Sequence, residues 1–396
     1  MENRLQNILK INYFELTDTK LLFFDIFYKN NKIFLIMPIY NKQADHNQIF
    51  VSINNNRLTL SEYYVKDSWE PALIYVYNYT QSTNTIDDQS LHDTDICNIV
   101  TVDIECNNIK KTYNLQHIRT TSSETKKFLA VTTLFKNDYK LFPLFYNYYK
   151  DQGVSHFYMY YNGILTQEIR QIFNIYRGVT LIEWNFHYWN IPAYKYCHHA
   201  QMGQIHHAIH RYGKDICDYM IFCDLDEYLH IPESKFEKNN KSTNTLKTFI
   251  QNNPSIEIFG FRNIWANTID NKCPTRKLPN KIVVSNDVDI YTCRSKNIYK
   301  VSSINTVGIH DIGKNLTHLY KNITDLSMYH FYNWSKPSRH FENVNKEILL
   351  IKNILPQITN NKSDEIEIKI ENEKKDNTCI VNKKKSKNNK KNKNKK

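Results

Sequence analysis

The 396-residue chain is 41% hydrophobic and 13% aromatic, so it is long enough for two cores and too apolar to be disordered. Its net charge of +12 is misleading: nine lysines lie in the last fourteen residues, which leaves about +3 (12 minus 9) on the body. With only eight glycines and neither a GxxxxGK[ST] nor a GxGxxG run, the chain has no glycine-rich phosphate loop.

Residues 1–120 are expected to form a β-rich accessory domain. Leu21–Tyr28 and Ile33–Tyr40 flank a Lys-Asn-Asn-Lys turn, and further β-type runs follow at Gln48–Ile53, Ala72–Tyr79 and Ile99–Glu105. Their spacing suggests an antiparallel, sandwich-like arrangement. Thr80–Asp95 is read as a loop and Thr120–Lys127 as a linker. No segment reaches the ~18 apolar residues of a membrane span, and the start is too polar for a signal peptide. The expectation is therefore a soluble, cytoplasmic protein, with a secretory-pathway location left open. The eight cysteines lack metal-like spacing and are expected to be reduced.

From Phe128 the pattern changes to strands alternating with helices, as in a mostly parallel sheet. Strands are expected at Phe128–Phe135, His156–Tyr161, Val179–Phe186, the run from Tyr219, Ile256–Trp265 and Thr306–His310. Helices are expected at Tyr139–Lys150, Gln167–Tyr176, His198–Tyr212 and Thr245–Asn252. Asn345–Leu355 reads as a helix within a linker over 346–380, and 381–396 as a disordered Lys/Asn tail.

The chemistry concentrates where the apolar run Tyr219–Cys223 breaks into Asp224-Leu225-Asp226-Glu227. Period-two alternation would aim Asp224 and Asp226 the same way, and paired carboxylates at a strand end suit a hard divalent cation. In doubly wound sheets ligands sit beyond the carboxyl ends of strands. Lys136-Asn137-Asp138, Asn162 and the Asp pair would then face one crevice, with a nucleotide at the first two strand ends and its diphosphate on a metal at the fourth. Lys296 and Lys300 are candidates to meet a leaving diphosphate, or else a solvated pair. His310 and His330 each follow a β-type run and could complete a metal shell. The histidine-rich stretch His198–His210 lacks an HExxH motif, so His206 and His210 are read as a polar helix face rather than a zinc site.

Residues 125–345 resemble metal-dependent GT-A glycosyltransferases of the family 92 type and the related family 2-like group. The resemblance rests on Phe135-Lys136-Asn137-Asp138, Gly153-Val154-Ser155-His156-Phe157-Tyr158, Tyr160-Tyr161-Asn162 and Asp224-Leu225-Asp226-Glu227-Tyr228-Leu229. Gln201 with Arg211, Ser295-Lys296 through His310, and His330-Phe331-Tyr332 extend it. Tyr161 departs from the pattern, standing where an Asp is usual, and the family's N-terminal membrane anchor is not seen.

The resemblance implies a GT-A, Rossmann-like fold and transfer of a sugar, often galactose from UDP-galactose, to a glycan or glycoprotein acceptor with inversion. It implies Mn²⁺ or Mg²⁺ on Asp224, Asp226, His310 and His330, and donor contacts from Thr133, Lys136, Asn137, Asn162, Gln201, Asp224 and Lys300. Asp226, Glu227 and Lys296 are the expected catalytic group. Asp270, Asp287 and Asp289 are base candidates by position only. Two other readings stand beside this one. The same carboxylates could serve a nucleotidyltransferase or phosphohydrolase, or an inactive scaffold could bind nucleic acid or acidic membranes through its lysine tail.

Overall fold

The computed structural model describes residues 8–10, 14–16, 21–37, 49–66, 72–79, 99–118, 126–188, 200–232, 245–270, 272–275, 277–279, 281–285, 294–310, 320–321, 326–335 and 348–352. The described residues belong to one unit within 1–356, and the loop and tail expected at 80–95 and 381–396 lie outside the described residues.

The amino-terminal segment forms one eight-stranded sheet. Its strands are β1 (Asp25–Lys29), β2 (Lys32–Met37), β3 (Ile49–Ile53), β4 (Asn56–Arg57), β5 (Leu60–Lys66), β6 (Ala72–Asn78), β7 (Ile99–Cys106) and β8 (Ile109–Ile118), in the order β4-β3-β7-β8-β1-β2-β6-β5. Three of its hairpins turn on Asn-Asn pairs, Asn30–Asn31, Asn54–Asn55 and Asn107–Asn108, all with φ between 50 and 63°. A two-residue hairpin needs positive φ at both central positions, and asparagine tolerates that region best after glycine. In this glycine-poor chain it takes glycine's place. β8 joins β1 in parallel, so a single sheet with a parallel junction stands where antiparallel layers were expected. Residues of β1, β2 and β6 share a hydrophobic cluster with β3, β7 and β8.

The larger sheet carries β9 (Lys127–Phe135), β10 (His156–Tyr161), β11 (Val179–Glu183) and β12 (Cys217–Phe222) as a parallel block in the order β11-β10-β9-β12. Chain order thus reverses between β9 and β12, which is where a doubly wound sheet opens a crevice. Helices α1 (Phe142–Asp151) and α2 (Gln167–Asn174) pack on one face, with α4 (Leu246–Gln251), and α3 (Ala200–His207) packs on the other. Beyond β12 come β13 (Glu227–His230), β14 (Ile258–Thr268), β15 (Lys281–Ser285), β16 (Lys296–Lys300), β17 (Ser327–His330) and β18 (Ile348–Lys352). β16 runs antiparallel beside β12, and β17 bridges β13 and β14.

Two expected elements differ. Thr306–His310 is irregular chain rather than a strand. Ile348–Lys352 is a strand paired with β15, not a helix, because a short apolar run fits either period.

The amino-terminal sheet covers α3. Phe27, Ile36, Ile74 and Val76 share a cluster with Met202, Ile205 and Ile209, and a Cβ on Gly203 would meet the Phe24 ring at 2.6 Å. The histidines are consequently buried rather than a solvated polar face. His206 donates to Met202 O (2.7 Å) and accepts from Val307 N (3.2 Å), while His210 donates to Asn305 O (2.9 Å). His207 donates to Asp25 (2.8 Å) and accepts from the Tyr160 hydroxyl (2.7 Å), which fixes a neutral tautomer. Asp25 also holds Arg211 at 2.7 Å. Lys29 caps the carbonyls of His210 and Arg211 and pairs with Asp215. Those carbonyls lie in a π-helical stretch, Ala208–Gly213, that continues α3.

Burial alone would raise the Asp25 carboxyl, but Arg211 and His207 outweigh it and hold it below its ordinary range. We expect Asp25→Ala to cost about 3–5 kcal/mol in urea unfolding, because it strands a buried guanidinium. The wild type's advantage should be full above a pH of about 4 and shrink as the carboxylate protonates below it.

Candidate active site

β12 ends at Phe222 and the chain turns tightly through Cys223–Asp226 into β13. Glu227 closes this turn from both ends: its N–H donates to Asp224 O (3.1 Å), and its Oε2 accepts from Asp224 N (2.7 Å). Leu225 drops into the core at 0% exposure, so its neighbours Asp224 and Asp226 both line one cavity. The expected convergence of the Asp pair therefore holds, through a turn rather than an extended strand.

Three carboxylates in four residues need compensation, and Lys296 supplies it from the start of β16. Its Nζ lies 3.1 Å from Asp224 Oδ2 and 3.2 Å from Glu227 Oε2, and the residue is 1% exposed. Burial alone would discharge the amine, but the two carboxylates more than offset this and hold it cationic. Burial likewise pushes the Glu227 carboxyl upward, and Lys296 opposes that shift. Lys296 is thus committed to two carboxylates and does not line the cavity.

Asp224 is further held by Gln201 Nε2 at 3.2 Å, and Gln201 Oε1 accepts from the Tyr188 hydroxyl at 2.9 Å. Asp226 faces His330, whose Nε2 lies 3.6 Å from its Oδ2, while His330 Nδ1 lies 3.8 Å from Glu227 Oε1. Burial favours the neutral ring, but Asp226 and Glu227 raise its pKa above the ordinary value. Ligand atoms of Asp226, Glu227 and His330 all lie within 4.8 Å of one another, forming the group that could hold a metal among the described residues. Two carboxylates and an imidazole suit Mn²⁺ or Mg²⁺ better than a thiolate-preferring ion.

The cavity in front of this corner has a volume of about 360 Å³. Its walls come from the ends of β9 and β10 (Leu134–Asp138 and Asn162), from Tyr188 and Gln201, and from Asp224, Asp226 and His330. Lys136 and Asn137 are exposed at its rim. Asn162 also has a structural part: its amide nitrogen donates to Trp184 O (3.0 Å) and Phe186 O (2.7 Å), tying the end of β10 to the chain after β11.

Other predicted residues stand apart. Thr133 is buried within β9, its hydroxyl 3.5 Å from Leu134 O, and Lys300 lies at the far end of β16 beside Glu257 (3.8 Å). Neither lines the cavity. His310 is tethered to Ser295 O (3.2 Å) outside the three-ligand group, with its pKa pushed to about 4 by burial and by Lys296. Asp270 is exposed and accepts from Lys272 N, away from the cavity. Asp287 and Asp289 lie outside the described residues.

Asp138 is the cavity carboxylate that the sequence reading left unassigned, although it belongs to the quoted Lys136-Asn137-Asp138 strand end. Burial pushes its pKa up to about 6, the charges of Asp226 and Asp224 add to this, and a hydrogen bond from Lys136 N opposes it. Tyr188 carried no sequence signal.

A family model, glycosyltransferase family 92, matches residues 129–393. The match spans two thirds of the chain and contains every cavity residue. The chain belongs to glycosyltransferase family 92. No curated protein matches it. Membership makes the protein a glycosyltransferase, with a nucleotide-sugar donor and a glycan acceptor as its partners. No helix among the described residues is long and apolar enough to cross a membrane.

A raised carboxyl pKa costs stability as the pH rises from the ordinary carboxyl value near 3.8 to the raised value of about 6, and the full cost persists above that. We expect Asp138→Asn to raise the thermal midpoint by about 2 °C at pH 7.5, the equivalent of about 1 kcal/mol in a chain of this size. The gain should vanish near pH 4, where the wild-type carboxyl is itself protonated; calorimetry across that window checks it.

Proposed function

We propose that the cavity binds a nucleotide-diphosphate sugar, UDP-galactose being the favoured donor, and that a divalent cation sits at Asp226, Glu227 and His330. The observation that carries this reading is the position of that three-ligand corner, opening onto a cavity at the point where the parallel strand order reverses. Mn²⁺ or Mg²⁺ there would neutralise charge developing on the departing nucleoside diphosphate.

The chain's own residues divide the remaining work. Asp226 and His330 face the cavity as ligands. Glu227 orders the turn and offers its Oε1 on the same side. Lys296 offsets the negative charge of the Asp224 and Glu227 carboxylates and fixes both without touching donor. Gln201 orients Asp224 from α3, and Tyr188 orients Gln201. Asp138, at the nucleotide end, is placed to accept from ribose hydroxyls. An acceptor hydroxyl entering from the open side would form the new glycosidic bond as the bond to the diphosphate breaks, with inversion at the anomeric carbon, and would give its proton to a base on the acceptor side or to solvent.

The test is binding and turnover of a panel of UDP- and GDP-sugars, with Mn²⁺ and with chelator, in wild type and Asp226→Ala. We expect one UDP-sugar to be selected only with metal, and Asp226→Ala to lower transfer by about 100-fold or more. Release of free nucleotide at full rate without any acceptor would favour a phosphohydrolase. Failure to bind any donor with metal present would leave a non-catalytic scaffold.

A further inference from the structure

β14 lies parallel to β17, with Asn263 opposite Met328 and Trp265 opposite His330. Asn263 and Trp265 are two apart on β14 and therefore share a face. Both touch the His330 ring. The Trp265 ring centre is 4.7 Å from that of His330, at an interplanar angle of 30°, and the Arg294 guanidinium lies 4.9 Å from the centre of the indole ring. Asn263 is 2% exposed, and its Oδ1 lies 3.1 Å from His330 Nδ1. The other end of the same amide, Nδ2, is buried and has no hydrogen-bond partner among the described residues.

A neutral imidazole has one donor nitrogen and one acceptor nitrogen. When the ring gives up its second proton to ligate a metal, the amide oxygen at Nδ1 keeps the remaining proton on Nδ1 and leaves the lone pair on Nε2. Nε2 is the nitrogen that faces Asp226. We propose that Asn263 is a positioning residue: it fixes His330 in the Nδ1–H tautomer, so that Nε2 is presented with Asp226 to the divalent cation. Trp265 holds the plane of the ring, and Asn263 sets its proton.

The orphaned Nδ2 supports this assignment. A buried donor with no acceptor destabilises the fold, and a leucine of similar size would fill the space without that penalty. The amide is therefore a poor packing choice and a good acceptor for one proton. Ligating histidines commonly give their second N–H to a carbonyl or carboxylate, and loss of that partner weakens metal binding about 10- to 100-fold.

This inference rests on the proposed metal corner, and the experiment separates the two. Mn²⁺ affinity is measured by calorimetry on the full chain for wild type and for Asp226→Ala, Asn263→Leu and Asn263→Asp. We expect Asn263→Leu to bind about 10-fold more weakly or worse, and Asn263→Asp, which still accepts from Nδ1, to retain wild-type affinity. The metal-free thermal midpoint of Asn263→Leu should stay near that of wild type, because removing the unpaired Nδ2 donor offsets the loss of the acceptor for His330 Nδ1. Wild-type affinity in Asn263→Leu, or joint loss of stability and affinity without rescue by Asp, would overturn the proposal. Equal Mn²⁺ binding by wild type and Asp226→Ala would instead overturn the metal corner itself. If Asn263→Leu does not fold, ¹⁵N shifts of His330 in the wild-type Mg²⁺ form decide: a protonated Nδ1 supports the assignment, and a protonated Nε2 overturns it.

Discussion

The carboxylate turn at the heart of the candidate site is held by one buried cation. Asp224, Asp226 and Glu227 crowd three negative charges into a single turn, and like charges at that spacing repel or drive protonation. Lys296 reaches in from the antiparallel strand β16 and contacts Asp224 and Glu227 at once. With those two neutralised, Asp226 remains to face the cavity with His330, and Glu227 can close the turn through its own backbone and side chain. The lysine is thus part of the scaffold that makes the crowded carboxylate turn electrostatically tolerable. Truncating it would leave two buried carboxylates without compensation.

The amino-terminal sheet reaches the site through α3. Asp25 and Lys29 on β1 hold His207, Arg211 and the carbonyls of the π-helical stretch, which fixes the helix against the larger sheet. One turn earlier the same helix sends Gln204 to Thr132 (2.6 Å) and Gln201 to Asp224. A sheet that looks accessory in sequence therefore completes the buried side of the helix that orients a cavity carboxylate. Its removal would expose a face rich in histidine and aliphatic side chains and loosen Gln201.

Much of the site was legible because strand ends announce themselves locally. Apolar runs that break at Lys136, Asn162 and Asp224 mark walls of the cavity, and Asp224-Leu225-Asp226-Glu227 marks its carboxylate turn. What sequence could not show was who holds whom. Lys296 and Lys300 look equivalent four residues apart, yet one is clasped by carboxylates and the other sits a strand-length away beside Glu257. Asn162 lines the cavity, and its amide nitrogen also ties the strand end to backbone carbonyls, a bond that no sequence pattern announces. The histidines of α3 read as a polar face because the sheet that buries them is nearly two hundred residues earlier in the chain (His207 and Asp25 are separated by 182 positions). Asn263 was invisible inside an ordinary β-type run, and the strand Ile348–Lys352 resembled a helix because four consecutive apolar residues carry no period.

The most direct measurement is the anomalous scattering of crystals soaked with Mn²⁺ and UDP. The account predicts one manganese peak bounded by Asp226 and His330, with the diphosphate beside it and the nucleoside running toward Lys136–Asp138. A peak elsewhere, or bound UDP with no metal at that corner, would contradict it.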